Sequence, residues 1–276
     1  VTSPLTAPPV GLIAGAGDLP VKLAAHLGMS GKPVFVVALS GFASPALLAR
    51  HPGAEAALGE IGKAIRLLGE AGCREIVFAG AVTKPNMASL KLDMQGVSLL
   101  PQLAAAAAKG DDALLRVVLG AFEKAGFSVI GADDVLADLL APAGAIGGRT
   151  PSAADWIDIR AAAAAALDLG ARDVGQGAVA RDGAVVALEA QDGTDAMLSR
   201  LHGGAGGVLV KRPKPQQERR IDLPTIGPDT VRNAAAAGLA GVAVEAGGVL
   251  VLDRELVVEA ADAAGLFVYG FGRGEL

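Results

Sequence analysis

The chain has 276 residues, 52% of them hydrophobic, with a formal net charge of -5 and one cysteine. That is ample apolar material for one large or two medium domains, and the mild acidity leaves no electrostatic footprint for nucleic acid. A lone thiol, Cys73, excludes an internal disulfide and points to a reducing compartment, and three scattered histidines (His26, His51, His202) argue against a structural zinc site.

Residues 1–9 carry neither a basic patch nor an apolar core, and small-apolar runs such as Ala104–Ala108 and Ala161–Ala166 are far too short to span a bilayer. A cytoplasmic protein is the expectation. Aromatic content is only 3%, so Ala, Val, Leu and Ile must pack the core.

In chain order, Val10–Ala14 reads as a buried strand ending in glycines, Pro20–Met29 as a helix and Val34–Leu39 as a second strand. This spacing suits one right-handed parallel unit. A helix is expected over Glu55–Ala71 and a strand over Ile76–Ala79; all-apolar strands of this kind favour a parallel sheet covered on both faces. Helices follow over Val97–Lys109 and Ala113–Ala125, the second capped by Asp111 or Asp112, and then a short strand over Ser128–Ile130. The Gly- and Pro-rich stretch 142–151 is the best boundary.

Beyond it, Ser152–Leu169 reads as a helix capped by Ser152 and stopped by Gly170, Val185–Glu189 as a strand, and Asp195–His202 as a short helix. Gly207–Lys211 is a strand, Asp229–Ala237 a helix, and Val242–Glu245, Val249–Leu252 and Leu266–Tyr269 are strands. The fold class expected is α/β with two domains. Residues 1–145 form an N-terminal Rossmann-like parallel-sheet domain, and 146–276 a C-terminal α/β domain with a mixed sheet.

Three motifs carry chemistry. In the turn Gly15-Ala16-Gly17-Asp18-Leu19-Pro20, Gly15 permits a tight bend and Gly17 lets backbone approach a ligand at a helix N-terminus. Pro20 replaces the third glycine of the dinucleotide fingerprint, and Ser40-Gly41 stand where a ribose-binding acid is wanted, which cuts against NAD. Next, Gln191–Leu198 follows a strand and opens a helix; Thr194 or Asp195 either caps that helix or faces a ligand cleft.

The densest motif is the segment Val210–Thr225, which mixes cations, acids and prolines after a buried strand. Lys211, Lys214 and Arg220 suit a diphosphate, and Asp222 and Glu218 suit Mg²⁺, a hard ion needing one or two carboxylates besides phosphate oxygens. A solvated charged loop is the plain alternative. Scarce histidine and the absence of a nucleophile elbow or a Walker A lysine leave phosphoryl chemistry by positioned charge as the better fit.

The blocks Gly11–Pro20, Val77–Pro85, Gly110–Arg116, Asp173–Gln176, Gly193–Leu198, Gly207–Lys211, Lys214-Pro215, Asp222–Gly227 and Gly238–Gly247 resemble the UDP-2,3-diacylglucosamine pyrophosphatase family of lipid A synthesis, in its non-calcineurin-like form. The resemblance runs over nearly the whole chain. It implies a two-domain enzyme with its site between the halves, which hydrolyses UDP-2,3-diacylglucosamine with Mg²⁺ to 2,3-diacylglucosamine 1-phosphate and UMP.

It places catalysis on Asp222, Glu218 and Lys211, and metal binding on Asp222 and Glu218. Substrate contacts fall on Gly15, Gly17, Asp18, Thr194, Asp195, Lys214, Gln217, Arg220 and Thr225. Glu218 stands where the family has aspartate. Transient contact with the inner-membrane surface, where substrate and lipid product reside, and a homodimer are further expectations.

Overall fold

A computed structural model describes residues 7–83, 90–201 and 204–276. Lys84, Pro85 and His202, which the sequence reading touched, lie outside the described residues. The chain divides into two compact units: the first runs to Ala137 and takes in Glu218–Asp222, and the second comprises Asp138–Gln217 and Leu223–Leu276. The Val210–Thr225 motif is therefore shared, with its central five residues belonging to the first unit.

The first unit contains β1 (Val10–Ala14), α1 (Leu19–Met29), β2 (Val34–Leu39), α2 (Pro45–Arg50), β3 (Gly53–Ala56), α3 (Ile61–Glu70), β4 (Glu75–Ala79), α4 (Met94–Ala107), α5 (Asp111–Lys124), β5 (Ser128–Ile130) and α6 (Ala132–Val135). Its sheet has the order β3-β2-β1-β4-β5 with every pairing parallel. All five residues of β1 are buried, as a central parallel strand requires.

Ile13, Val37, Leu68, Ile76, Leu119 and Phe122 share one core on this sheet. Each large apolar side chain fully buried there contributes about 1.5–3 kcal/mol. Cys73 is buried beside them, and burial pushes its thiol up to about 11, which makes it a poor nucleophile near neutral pH.

The expected helix over Glu55–Ala71 is corrected. Residues Gly53–Ala56 pair with Val36–Leu39 as an edge strand, and the helix starts only at Ile61. Edge pairing recruited a short, small-residue stretch that has little strand propensity of its own. The cap of α5 is Gly110 at φ +119, with Asp111 and Asp112 inside the first turn and no side-chain cap bond.

Gly15 and Gly80 are required by close approach at the centre of the sheet. The ends of β1 and β4 are laced by Gly15 N–H to Ala79 O (2.8 Å), Ala16 N–H to Ala81 O (2.8 Å) and Ala81 N–H to Ala16 O (2.9 Å). A Cβ on Gly15 would stand 2.7 Å from Ala81 O. One on Gly80, which has φ +92, would stand 2.5 Å from Ala16 O and 2.8 Å from Pro20 Cγ. Gly80→Ala should cost at least about 2 kcal/mol through left-handed strain and the clash. The check is a lowered urea midpoint at unchanged slope.

The second unit contains β6 (Gly144–Ala145), α7 (Ala153–Ala171), β7 (Gly177–Arg181), β8 (Ala184–Leu188), α8 (Gly193–Ser199), β9 (Val208–Lys211), β10 (Thr225–Ile226), α9 (Pro228–Ala236), β11 (Gly241–Glu245), β12 (Leu250–Val251), α10 (Arg254–Ala264) and β13 (Phe267–Phe271). The main sheet runs β6-β13-β11-β9-β7-β8, mixed as expected, and β10 and β12 form a separate parallel pair. Its core lies on both faces of β9 and β11: Leu209, Val242, Val244 and Val268 pack toward α8–α10, while Val208, Val210 and Ala243 pack toward α7.

Ser152 caps α7 as expected, with Asp155 closing a capping box. The helix runs through Gly170 rather than stopping there. Gly170 instead admits the backbone of Lys214, whose Cα would lie 3.2 Å from an added Cβ. The expected helix over Asp229–Ala237 starts one residue earlier, at Pro228, and Gly227 caps it, its N–H donating to Thr230 Oγ1 at 3.3 Å. Neither β7 nor α10 was anticipated. Among the described residues, no helix is long and apolar enough to cross a membrane.

Candidate functional site

In the first unit, the order in which strands are added to the sheet reverses between β1 and β4, the position at which open parallel sheets bind ligands beyond their carboxyl ends. Gly17 sits there with φ +90, exposed, with nothing within 4 Å of an added Cβ. Asp18 precedes α1 and makes no side-chain cap bond, so its carboxylate does not close the helix's first amides. Of the three turn residues expected to touch substrate, Gly15 is buried and laces β1 to β4, while Gly17 and Asp18 are exposed.

The same unit holds Glu218, Arg220 and Asp222 in one turn, the N–H groups of Ile221 and Asp222 both donating to Glu218 O at 3.1 Å. Ile221 packs on the first unit's core. Arg220 donates through Nε to Glu218 Oε1 (2.8 Å), through Nη2 to Glu218 Oε2 (3.0 Å) and through Nη1 to Glu123 Oε1 (2.8 Å). Three of its five N–H groups are thereby used among the described residues, and two remain.

The Arg220 guanidinium holds the Glu218 carboxyl below its ordinary value against the opposing effect of burial, and Glu218 in turn raises Arg220. Sequence reasoning gave the α5 side chains in this cluster no role in the site. Asp112, weighed only as a helix cap, accepts the Glu218 N–H at 2.7 Å, and Arg116 bridges Asp112 (2.7 Å) and Glu218 (3.3 Å).

In the second unit, Lys211 ends β9 with only 6% exposure, its Nζ donating to Thr225 O at 3.1 Å. Thr225 turns its hydroxyl to Leu223 O at 3.2 Å. Lys214 pairs with Asp173 at 2.5 Å, and its N–H donates to Gln217 Oε1 at 2.9 Å.

Gln217 Nε2 then donates to Gln176 Oε1 (3.2 Å), Gln176 N–H to Glu189 Oε2 (2.9 Å), and Thr194 Oγ1 to Glu189 Oε1 (2.7 Å). Thr194, Gln217 and Lys214 thus belong to one hydrogen-bonded chain whose middle members, Gln176 and Glu189, were not anticipated. Neither Thr194 nor Asp195 caps α8; Asp192 occupies that position without a side-chain cap bond. Asp195 faces elsewhere, accepting from Asn233 Nδ2 at 2.9 Å in a cleft of ≈ 610 Å³ that Leu198 and Leu201 also line.

The residues expected to hold a metal differ in fitness. Both Glu218 oxygens accept from Arg220, and one also faces Arg116, so its lone pairs are committed to guanidinium. That geometry fits an arginine clamp better than a metal ligand. Asp222 is half-buried at the end of the same turn, and a single carboxylate suffices for a hard ion that arrives with phosphate oxygens and water. Among the described residues, no group of three or more His, Cys, Asp or Glu side chains is placed to hold a metal alone.

Residues 9–139 match the model of the LpxI N-terminal domain, and residues 142–269 that of the LpxI C-terminal domain. The chain is also 49% identical over 271 residues to a Caulobacter vibrioides protein named UDP-2,3-diacylglucosamine pyrophosphatase LpxI, covering 95% of this chain and 96% of that one.

Proposed function

We propose a function on the premise that this chain belongs to the LpxI family: it is a hydrolase that cleaves the diphosphate of UDP-2,3-diacylglucosamine in lipid A synthesis, releasing UMP and 2,3-diacylglucosamine 1-phosphate. The observation that carries the reading is the turn Glu218–Asp222, where a clamped arginine with donors to spare and a carboxylate stand together.

In this reading Arg220 offers its remaining N–H groups to a phosphate oxygen, and Glu218 and Glu123 hold its fork in one plane. Within the second unit, Lys211 and Lys214 are the cations suited to phosphate, Gln217 holds the Lys214 backbone, and Thr225 fixes the Lys211 ammonium. Gly17 and Asp18 open the α1 N-terminus to the nucleotide sugar, while Thr194 and Asp195 shape the start of α8.

Mg²⁺ is part of the proposal, with Asp222 as its protein carboxylate. Among the described residues, the turn and its α5 partners set four carboxylates (Asp112, Glu123, Glu218, Asp222) against three guanidiniums (Arg116, Arg219, Arg220), a balance that a bound cation would tip toward a diphosphate. When bound, the ion would supply charge neutralisation at the phosphate oxygens. EDTA should abolish UMP release and Mg²⁺ restore it, while calorimetry of Mg²⁺ with substrate-free protein should give a Kd of about millimolar or weaker, since one carboxylate is a poor site by itself. Undiminished turnover in EDTA would remove the metal from the mechanism. Transient contact with the inner-membrane surface belongs to the same reading, because the substrate is a lipid.

A further inference from the structure

We propose that Asp112, with Arg116, is the positioning anchor of the reaction: it pins the Glu218–Asp222 turn to α5 and so fixes Arg220 and Asp222. This rests on the reading that those two residues act on the diphosphate. The sequence offered Asp112 only as a helix cap, and it does not cap α5. Its side chain is 11% exposed and both oxygens are used, Oδ1 by the Glu218 N–H at 2.7 Å and Oδ2 by Arg116 Nε at 2.7 Å.

Arg116 reaches on to Glu218, whose side chain is 12% exposed and which grips Arg220. A charged acceptor for a backbone N–H is a strong hydrogen bond, and here it spans 106 positions of sequence. The five residues it holds leave and rejoin the second unit's chain, and among the described residues Ile221 is the one side chain of the five that packs against the first unit's core. With so small an apolar hold, polar ties to α5 decide whether the turn is docked or loose, and of these the Asp112 anchor is the more buried, the Arg220–Glu123 pair being about 40% exposed on both sides. A turn that samples loose positions holds Arg220 and Asp222 out of the reacting geometry for part of the time, which lowers turnover more than binding.

Trypsin reads docking directly. Arg212 and Lys214 are each followed by proline and resist it, whereas Arg219 and Arg220 are cleavable when the turn opens. In full-length Asp112→Ala, cleavage after Arg219 and Arg220 should accelerate about tenfold with other sites unchanged, because cleavage follows the open population. For UMP release in the same variant, kcat should fall about tenfold while KM changes less than about threefold.

Asp112→Asn keeps an acceptor for the Glu218 N–H but loses the charge on Arg116, and should lie between. If the alanine variant is cleaved everywhere, it has failed to fold, and the asparagine variant decides. A wild-type cleavage rate after Arg219 and Arg220 overturns the anchor, and a loosened turn with unchanged kcat overturns its link to the reaction. Wild-type protein that releases no UMP overturns the functional reading alone, and the cleavage comparison still judges the anchor.

Discussion

Asp222→Ala should reduce kcat/KM for UMP release by about 10³-fold or more while the far-UV spectrum and the unfolding midpoint stay close to wild type. The loss is large because the proposal gives Asp222 the task of bringing a cation to the diphosphate, while both Glu218 oxygens accept from Arg220. The fold should survive because the turn itself is made by main chain, the Asp222 N–H donating to Glu218 O, and Ile221 still packs on the core. Asp222→Asn sharpens the test. If charge matters, the amide should be nearly as damaging as alanine; if only a hydrogen bond matters, it should retain most activity. Arg220→Ala, which removes phosphate donors and leaves Glu218 without its fork, should be milder in kcat and raise KM. Full activity in Asp222→Ala would remove the assigned role outright.

What could be read from the sequence follows from how local each signal is. Five apolar residues ending in glycines declare β1, and Ser152 with Asp155 three residues on declares the start of α7, because both signals sit inside the element. β3 and β7 were missed for the opposite reason. Gly53–Ala56 and Gly177–Arg181 are mostly small residues whose strand character comes from pairing with β2, and with β8 and β9. Lys211, Lys214 and Arg220 announced themselves by charge between prolines. Their partners did not, since Glu218 meets Asp112 and Arg116 across more than a hundred residues, and Lys214 meets Asp173 across 41. The glycine turn was legible as a tight bend at Gly15, but its cause was not: the carbonyl of Ala81, 66 positions on in sequence, is what leaves no room for a side chain there.

Glu245→Ala should destabilise the second unit by about 3–5 kcal/mol, the usual penalty for leaving one member of a buried ion pair without its counter-charge. Glu245 ends β11 and Arg212 follows β9; their side chains are 4% and 9% exposed, and they meet at 2.8 Å. Arg212 Nε and Glu245 Oε2 make no well-aligned hydrogen bond among the described residues, so the pair is held mainly by charge, and without Glu245 the guanidinium keeps the Ala163 carbonyl at 3.4 Å but no counter-charge there. Arg273 also reaches Glu245 at 2.9 Å, but it is 73% exposed, and Arg273→Ala should cost no more than about 1 kcal/mol. Replacing both buried partners, Arg212→Met with Glu245→Leu, should recover most of the loss, because two apolar side chains need no counter-charge. Urea unfolding of the four proteins measures this, and a loss under about 1 kcal/mol in Glu245→Ala would mean that water reaches the pair. The consequence extends to the chemistry. Arg212 directly follows Lys211, and its N–H donates to Gln176 O at 3.1 Å, where the hydrogen-bonded chain from Thr194 to Lys214 passes. An unpaired Arg212 that swings toward water would pull on that junction, so Glu245→Ala should also lower turnover in protein that is still folded, and the double replacement should restore both.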